Sequence, residues 1–148
     1  IDNPEEIISD IVNDFKVNMK SNHIFYTQTV EATIQISYYY FYTIVYELID
    51  NAIKFSQAGS DISIQTFISD KFYHLIIQDY GIGMSKEQIK NISAYNQYDR
   101  SYHEQQGTGL GLFIAKILVE LHKGVFSIDS SLGKGTNITI QFPIYQNK

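Results

Sequence analysis

The sequence predicts an α+β fold, a two-layer sandwich in which a mixed, mostly antiparallel sheet carries its helices on one face. Three observations predict it. Segments with apolar residues at helical spacing alternate with short runs rich in β-branched and aromatic residues. Most of those runs come in pairs joined by tight turns, the mark of antiparallel hairpins. Their order is helix, strand, helix, hairpin, helix, helix, hairpin, which mixes the two kinds of element within 148 residues, the size of one domain.

Each element has a local cause. Asn3-Pro4-Glu5-Glu6 starts a first helix: an amide N-cap, proline at the first helical position, then acids against the positive end of the dipole. Ile8, Ile11, Val12, Phe15 and Met19 form its buried face. Ile24 to Val30 reads as a short strand. Ser37 caps a second helix that runs to about Phe55, with Phe41, Ile44, Leu48, Ala52 and Phe55 as its apolar stripe, although Tyr38 to Tyr42 favours strand by propensity. Gln57 to Ser60 is a turn, and Ile62 to Phe67 pairs with Phe72 to Gln78 across Ser69-Asp70-Lys71. Ser85-Lys86-Glu87-Gln88 is a capping box opening a short helix towards Tyr95. Residues 96–106 are polar and lack a period, which reads as a loop. A further helix follows Gly107-Thr108-Gly109-Leu110-Gly111, with Leu112, Ile114, Ile117, Leu118 and Leu121 as its expected buried face and Gly124 as its C-cap. Val125 to Ser130 and Asn137 to Ile144 make the last hairpin.

Composition removes several classes of function. With 44% hydrophobic and 18% charged residues the chain is globular, and no apolar run reaches the length of a membrane span. Eleven Lys and Arg against sixteen Asp and Glu leave a net charge of −5, so there is no basic footprint for nucleic acid or an anionic membrane. The absence of cysteine excludes disulfides and thiolate metal sites, and a cytoplasmic setting is the default. The chain begins at Ile1, so the expectation is a piece of a longer protein.

Three stretches carry chemistry. Glu47, Asn51 and Lys54 lie at i, i+4 and i+7, on one helix face, within an otherwise apolar run; taken alone they read as a solvated face. Asp79 ends a strand and is followed by Gly81 and Gly83, which allow close approach of a ligand to the backbone, with an ordinary Asp-Gly turn as the alternative. The glycine cluster at residues 107–111 opens a helix, where orphan N–H groups and the dipole suit an anion, yet it lacks the Lys-Ser/Thr of a Walker loop.

The four motifs Glu47-x-x-x-Asn51-x-x-Lys54, Asp79-x-Gly81-x-Gly83, Gly107-x-Gly109-Leu110-Gly111-Leu112 and Gly133-x-Gly135-Thr136, in this order, resemble the nucleotide-binding boxes of the GHKL superfamily. Within it they resemble the ATP-binding catalytic domain of bacterial sensor histidine kinases, over about Ile44 to Pro143. The resemblance implies the Bergerat sandwich, one catalytic domain over residues 1–148, and Mg²⁺ and ATP as ligands. Asn51 would ligate the Mg²⁺ and Lys54 would balance phosphate charge. Asp79 would take the adenine amine, Gly81 and Gly83 would leave room for the ring, and Phe55 would lie against the base or in the core. The run Gly107-Thr108-Gly109-Leu110-Gly111-Leu112 would cradle the phosphates, and Thr136 would close the adenine pocket. Tyr95 to Arg100 resembles the family's aromatic box, which makes Arg100 a candidate γ-phosphate contact, and residues 96–106 would form the ATP lid.

Two departures bear on the reaction. Many histidine kinases have Asn where this chain has Glu47, and Glu there resembles the catalytic base of gyrase-type and MutL-type ATPases; Glu47 would face the Mg²⁺ end as a ligand to metal-bound water or as a base. Second, His23, His74, His103 and His122 do not sit in a phosphoacceptor sequence, and they lack metal-ligand spacing. The resemblance therefore implies a partner, a dimeric helical domain of the same protein that carries the acceptor histidine, with a response regulator downstream. The rival readings are a GHKL ATPase that hydrolyses ATP through Glu47, and a degenerate domain kept for protein interaction. Tyr39, Tyr42 and Tyr46 share one helix side, either as a docking surface or as partly buried core.

Overall fold

The computed structural model describes residues 1–18, 23–28, 31–93 and 110–145. Among them run helix α1 (Pro4–Asn18), strand β1 (Ile24–Thr27), helix α2 (Tyr38–Phe55), strands β2 (Ile62–Ser69) and β3 (Phe72–Asp79), helices α3 (Lys86–Ser93) and α4 (Leu110–Leu121), and strands β4 (Val125–Ser131) and β5 (Gly135–Pro143). Met19, Thr29 and Val30, placed by the sequence in the first helix and first strand, lie outside the described residues, as does the stretch 94–109.

The strands form one sheet in the order β1-β2-β3-β5-β4. β1 and β2 pair in parallel, as strands joined by a helical crossover must be able to do, while β2–β3, β3–β5 and β5–β4 are antiparallel. The sandwich expected from the sequence is therefore present, with a single parallel pair making the sheet mixed. Along β3 and β5 buried residues alternate with half-exposed ones, so one face of the sheet is covered and the other is wetter. Ile64, Leu75, Ile77, Ile138 and Ile140 face the helices, where Ile8, Ile11, Phe41, Ile44 and Leu48 complete a continuous core.

The local signals act as expected. Ser37 Oγ accepts a hydrogen bond from the Tyr40 N–H at 3.3 Å, and the tyrosine run after it is helical because the cap and the buried stripe outweigh β propensity. In the capping box the Gln88 N–H donates to Ser85 Oγ at 3.1 Å and the Ser85 N–H to Gln88 Oε1 at 2.8 Å. Asp70 and Lys71 turn the β2–β3 hairpin with φ of 52° and 67°.

The buried face of α4 differs from expectation. Leu112, Ala115 and Val119 are buried, Leu118 is partly buried, and Ile114, Ile117 and Leu121 are exposed. α4 is apolar almost all round, so periodicity defines no unique face, and Ala115 is the small residue that lets α2 and α4 close together. The helix also ends differently: Lys123 takes the left-handed conformation with φ 62°, whereas Gly124 gives room for the Gln141 carbonyl, 2.6 Å from where its Cβ would be.

Glu5 also has a role beyond the first turn. It is 1% exposed, and its carboxyl accepts hydrogen bonds from Thr66 Oγ1 at 2.9 Å, Tyr73 Oη at 2.7 Å and Tyr26 Oη. Burial and the adjacent Glu5 push both tyrosine hydroxyls well above their ordinary pKa, so they remain donors. Hydroxyls from three adjacent strands thus pin α1 to the sheet.

Candidate functional site

Asp79 is the last residue of β3, between Ile62 of β2 and Thr136 of β5. It is 2% exposed, and its Oδ1 accepts the Gly81 N–H at 2.9 Å. Burial raises its pKa above the usual carboxylate value, while backbone hydrogen bonding from Gly81 and Thr136 pulls the other way. The carboxyl is thus held at the sheet end by its neighbours' backbone. Thr136 is also buried, its hydroxyl 2.8 Å from Ser130 Oγ. Ser130 Oγ in turn accepts the Met84 N–H at 2.8 Å, which ties the loop after Asp79 to the last hairpin.

The glycines of this loop answer to backbone packing. A Cβ on Gly81 would fall 1.7 Å from the Phe55 carbonyl oxygen, and the next residue, Ile82, donates its N–H to that same oxygen at 3.1 Å. Gly83 has φ of 70° and lies against the Ser131 carbonyl. The turn that carries Asp79 is therefore seated on the C-terminal end of α2.

α2 links this turn to the start of α4. A Cβ on Gly111 would lie 2.3 Å from Glu47 Oε2, so the first turn of α4 rests on the Glu47 side chain. Glu47 and Phe55 are eight residues apart, roughly 12 Å along the helix, and Asn51 lies midway. Asn51 is 8% exposed, and among the described residues its amide has no hydrogen-bond partner. Glu47 is half-buried and forms no ion pair among the described residues; burial first, then Asp50, raise its pKa, and Lys54 opposes them. Lys54 does not pair with Glu47. It meets Asp50 at 2.7 Å, an i,i+4 pair between an exposed ammonium and a half-buried carboxylate that chiefly accounts for its raised pKa. The sequence reading missed Asp50, although its spacing from Lys54 was the available signal. Ser130 had no such signal.

The structure thus brings together Glu47, Asn51, Phe55, Asp79, Gly81, Gly83, Gly111 and Thr136, with Leu110 beginning α4 and Leu112 buried beneath it. Arg100, Gly107, Thr108, Gly109, the lid at 96–106 and His103 lie outside the described residues. The other histidines are elsewhere: His23 stands 3.7 Å from Asp61, His74 stacks on Phe67, and His122 Nδ1 is 2.7 Å from the Leu118 carbonyl. Among the described residues no three His, Cys, Asp or Glu side chains cluster as a metal site. The buried Asn51 amide, one turn from the Glu47 carboxylate and like it unpaired among the described residues, nonetheless fits a hard cation that keeps several waters, as Mg²⁺ does.

The model of the histidine kinase-, DNA gyrase B- and HSP90-like ATPase family matches residues 39–146, well over half of the chain. The chain belongs to this ATPase family. Relatives within the family include sensor kinases: the sensor protein RprX of Bacteroides fragilis is 28% identical over 96% of this chain, and the sensor histidine kinase RppB of Synechocystis is 35% identical over 70% of it. The chain covers 29% and 23% of those two proteins, under a third of their length. Among solved structures, the mycobacterial sensor histidine kinase MprB superposes over 99% of this chain and 97% of its own, with a TM-score of 0.76 at 22% identity. Full-length ShkA in complex with AMPPNP has a TM-score of 0.75 at 20% identity, covering 97% of this chain and 30% of its own. These likenesses show the fold, and together with the relatives they place the chain with the ATP-binding catalytic domains of sensor histidine kinases.

Proposed function

We propose that this domain binds Mg-ATP and donates the γ-phosphoryl group to a histidine on a separate helical phosphoacceptor domain of the same protein, for passage to a response regulator. The observation that carries the reading is the buried Asn51 amide, without a hydrogen-bond partner among the described residues, one helical turn from Glu47 where the first turn of α4 rests on α2. Asp79 supplies an acceptor for an exocyclic amine at the other end of the same helix, and Thr136 borders it. Asn51 and Glu47 would hold the Mg²⁺. When bound, the ion neutralises phosphate charge and orients the phosphates. The backbone at Gly111, and the glycines before it, would meet phosphate oxygens at the helix start. Lys54, tied to Asp50, would act at longer range, and Arg100 would reach the γ-phosphate.

In the transfer, the imidazole nitrogen of the acceptor attacks phosphorus, the bond to the bridging oxygen breaks, and ADP leaves. Such a step asks mainly for positioning and charge stabilisation, which this set of groups can provide. None of the three described histidines lies at the site, which supports an acceptor from elsewhere. The setting would be cytoplasmic, where ATP is available; among the described residues no helix is long and apolar enough to cross a membrane.

A second reading, hydrolysis with Glu47 as base, has one observation in its favour: its carboxyl is raised by burial in the direction a general base needs. Incubation with γ-labelled ATP separates the two. The kinase reading expects slow phosphate release by this chain alone and acid-labile label on an added dimeric acceptor domain. Glu47→Gln would then lower phosphotransfer far more than ATP affinity. Rapid phosphate release without any acceptor would overturn it in favour of the ATPase.

A further inference from the structure

A cleft of about 290 Å³ opens between α1 and α2, lined by Ile11, Asp14, Phe15, Asn18, Tyr42 and Tyr46. Its wall is aromatic. Tyr38, Tyr42 and Tyr46 recur every four residues along α2, and their rings stack in succession, with centroids 6.0 and 6.2 Å apart and interplanar angles of 24° and 13°. Phe15 of α1 continues the row, 5.2 Å from Tyr46. The two ends of the tyrosine row are open to solvent, Tyr38 57% and Tyr46 40% exposed, while Tyr42 is half-buried and Phe15 is buried at the foot of the cleft; neighbouring Tyr39 and Val17 are more exposed still. Leaving such rings uncovered is costly to solubility, and stacked rings at i,i+4 spacing present an ordered surface.

Charge says what would cover it. Asp14 stands exposed at the same cleft, close enough to add to burial in raising the Tyr42 hydroxyl, and among the described residues it forms no ion pair. A carboxylate that no cation among the described residues pairs, beside aromatic rings, concentrates negative potential, because the ring quadrupole is negative on its face. A planar, weakly hydrated guanidinium can pack on such faces while its N–H fork meets one carboxylate, which a compact and strongly hydrated ammonium does less well. The row from Tyr38 to Tyr46 spans two helical turns, roughly 12 Å, a length along which a partner helix can lie.

We propose that the α1–α2 cleft is a docking site for an arginine side chain presented by a helical segment of a partner protein. The site is separate from the nucleotide residues: Tyr46 precedes Glu47 in sequence, but Glu47 meets α4 whereas Tyr46 meets α1.

The test is a titration of this isotope-labelled chain, followed by amide chemical shifts, with an alanine-based helical peptide bearing one central arginine. Matched peptides carry citrulline, which keeps the shape without the charge, or lysine. Saturable shifts should centre on Asp14, Phe15, Tyr42 and Tyr46, and the citrulline peptide should bind roughly 3- to 30-fold more weakly. Asp14→Asn, an exposed substitution that should leave fold and ATP binding intact, should narrow that difference by the part the carboxylate supplies while the part due to the rings remains, and an undiminished difference would overturn the role of Asp14. Absence of saturable shifts at the cleft, or equal affinity for the arginine and citrulline peptides, would overturn the proposal. A lysine peptide that bound as tightly as the arginine one would overturn the guanidinium assignment.

Discussion

Replacing Gly81 with alanine distinguishes two reasons for a glycine beside Asp79. If it serves only to leave room for a bound ring, the ligand-free chain should be as stable as the parent and only nucleotide binding should suffer. The structure gives a different expectation. The added Cβ would lie 1.7 Å from the Phe55 carbonyl oxygen, 2.5 Å from its carbon and 2.9 Å from Ser56 Cα, all backbone atoms that no rotamer change can move away. Either the end of α2 or the turn after β3 must shift by more than an ångström. Overpacking of this kind costs about 1–3 kcal/mol. The shift also breaks or stretches the 3.1 Å bond from the Ile82 N–H to the Phe55 carbonyl, worth about 1–3 kcal/mol more if those groups are left unpaired. The sum is about 2–6 kcal/mol, or a fall in melting temperature of roughly 5–20 °C for a domain of this size. Urea unfolding followed by circular dichroism, without nucleotide, reads this directly. A variant within about 0.5 kcal/mol of the parent, a margin typical of neutral surface changes, would refute the packing argument and return the glycine to the ligand.

Asp79→Asn should weaken ATP binding roughly 10- to 150-fold, the worth of a hydrogen bond to a charged group, read by calorimetry. Its effect on folding has the opposite sign: because burial raises the folded-state pKa of Asp79, its contribution is fully present below the unfolded carboxyl value near 3.9 and is lost as pH rises through the folded value. The variant should therefore gain stability relative to the parent between acid and neutral pH, and a difference independent of pH would contradict the assignment. Tyr73→Phe removes the 2.7 Å donor to buried Glu5 and should cost about 1.5–3 kcal/mol in urea unfolding, with no change in ATP affinity; a loss below 0.5 kcal/mol would mean that the hydroxyl network does not hold α1.

The order of elements and most of their ends were legible because their causes are local. Ser37, the Ser85/Gln88 box and the Asp70-Lys71 turn act through atoms within four residues, and the 3.6 and 2 periods of α2 and β3 are written in consecutive side chains. Membership of the ATPase family was legible for a related reason, since the boxes at Glu47–Lys54 and Asp79–Gly83 are short contiguous motifs.

What only the tertiary structure decided are the contacts between residues far apart in the chain. An acid in a first helical turn looks the same whether it faces water or three hydroxyls on a sheet, and nothing near Glu5 announces Thr66 or Tyr73, 61 and 68 residues away. α4 could turn any of several apolar faces inward, and the choice of Ala115 and Val119 over Ile114 and Ile117 depended on how closely α2 could approach. Lys54 had two acidic candidates within reach, Glu47 and Asp50. The start of α4 came to rest against Glu47, and Lys54 took the half-buried Asp50 one turn before it, a choice that helical spacing alone leaves open.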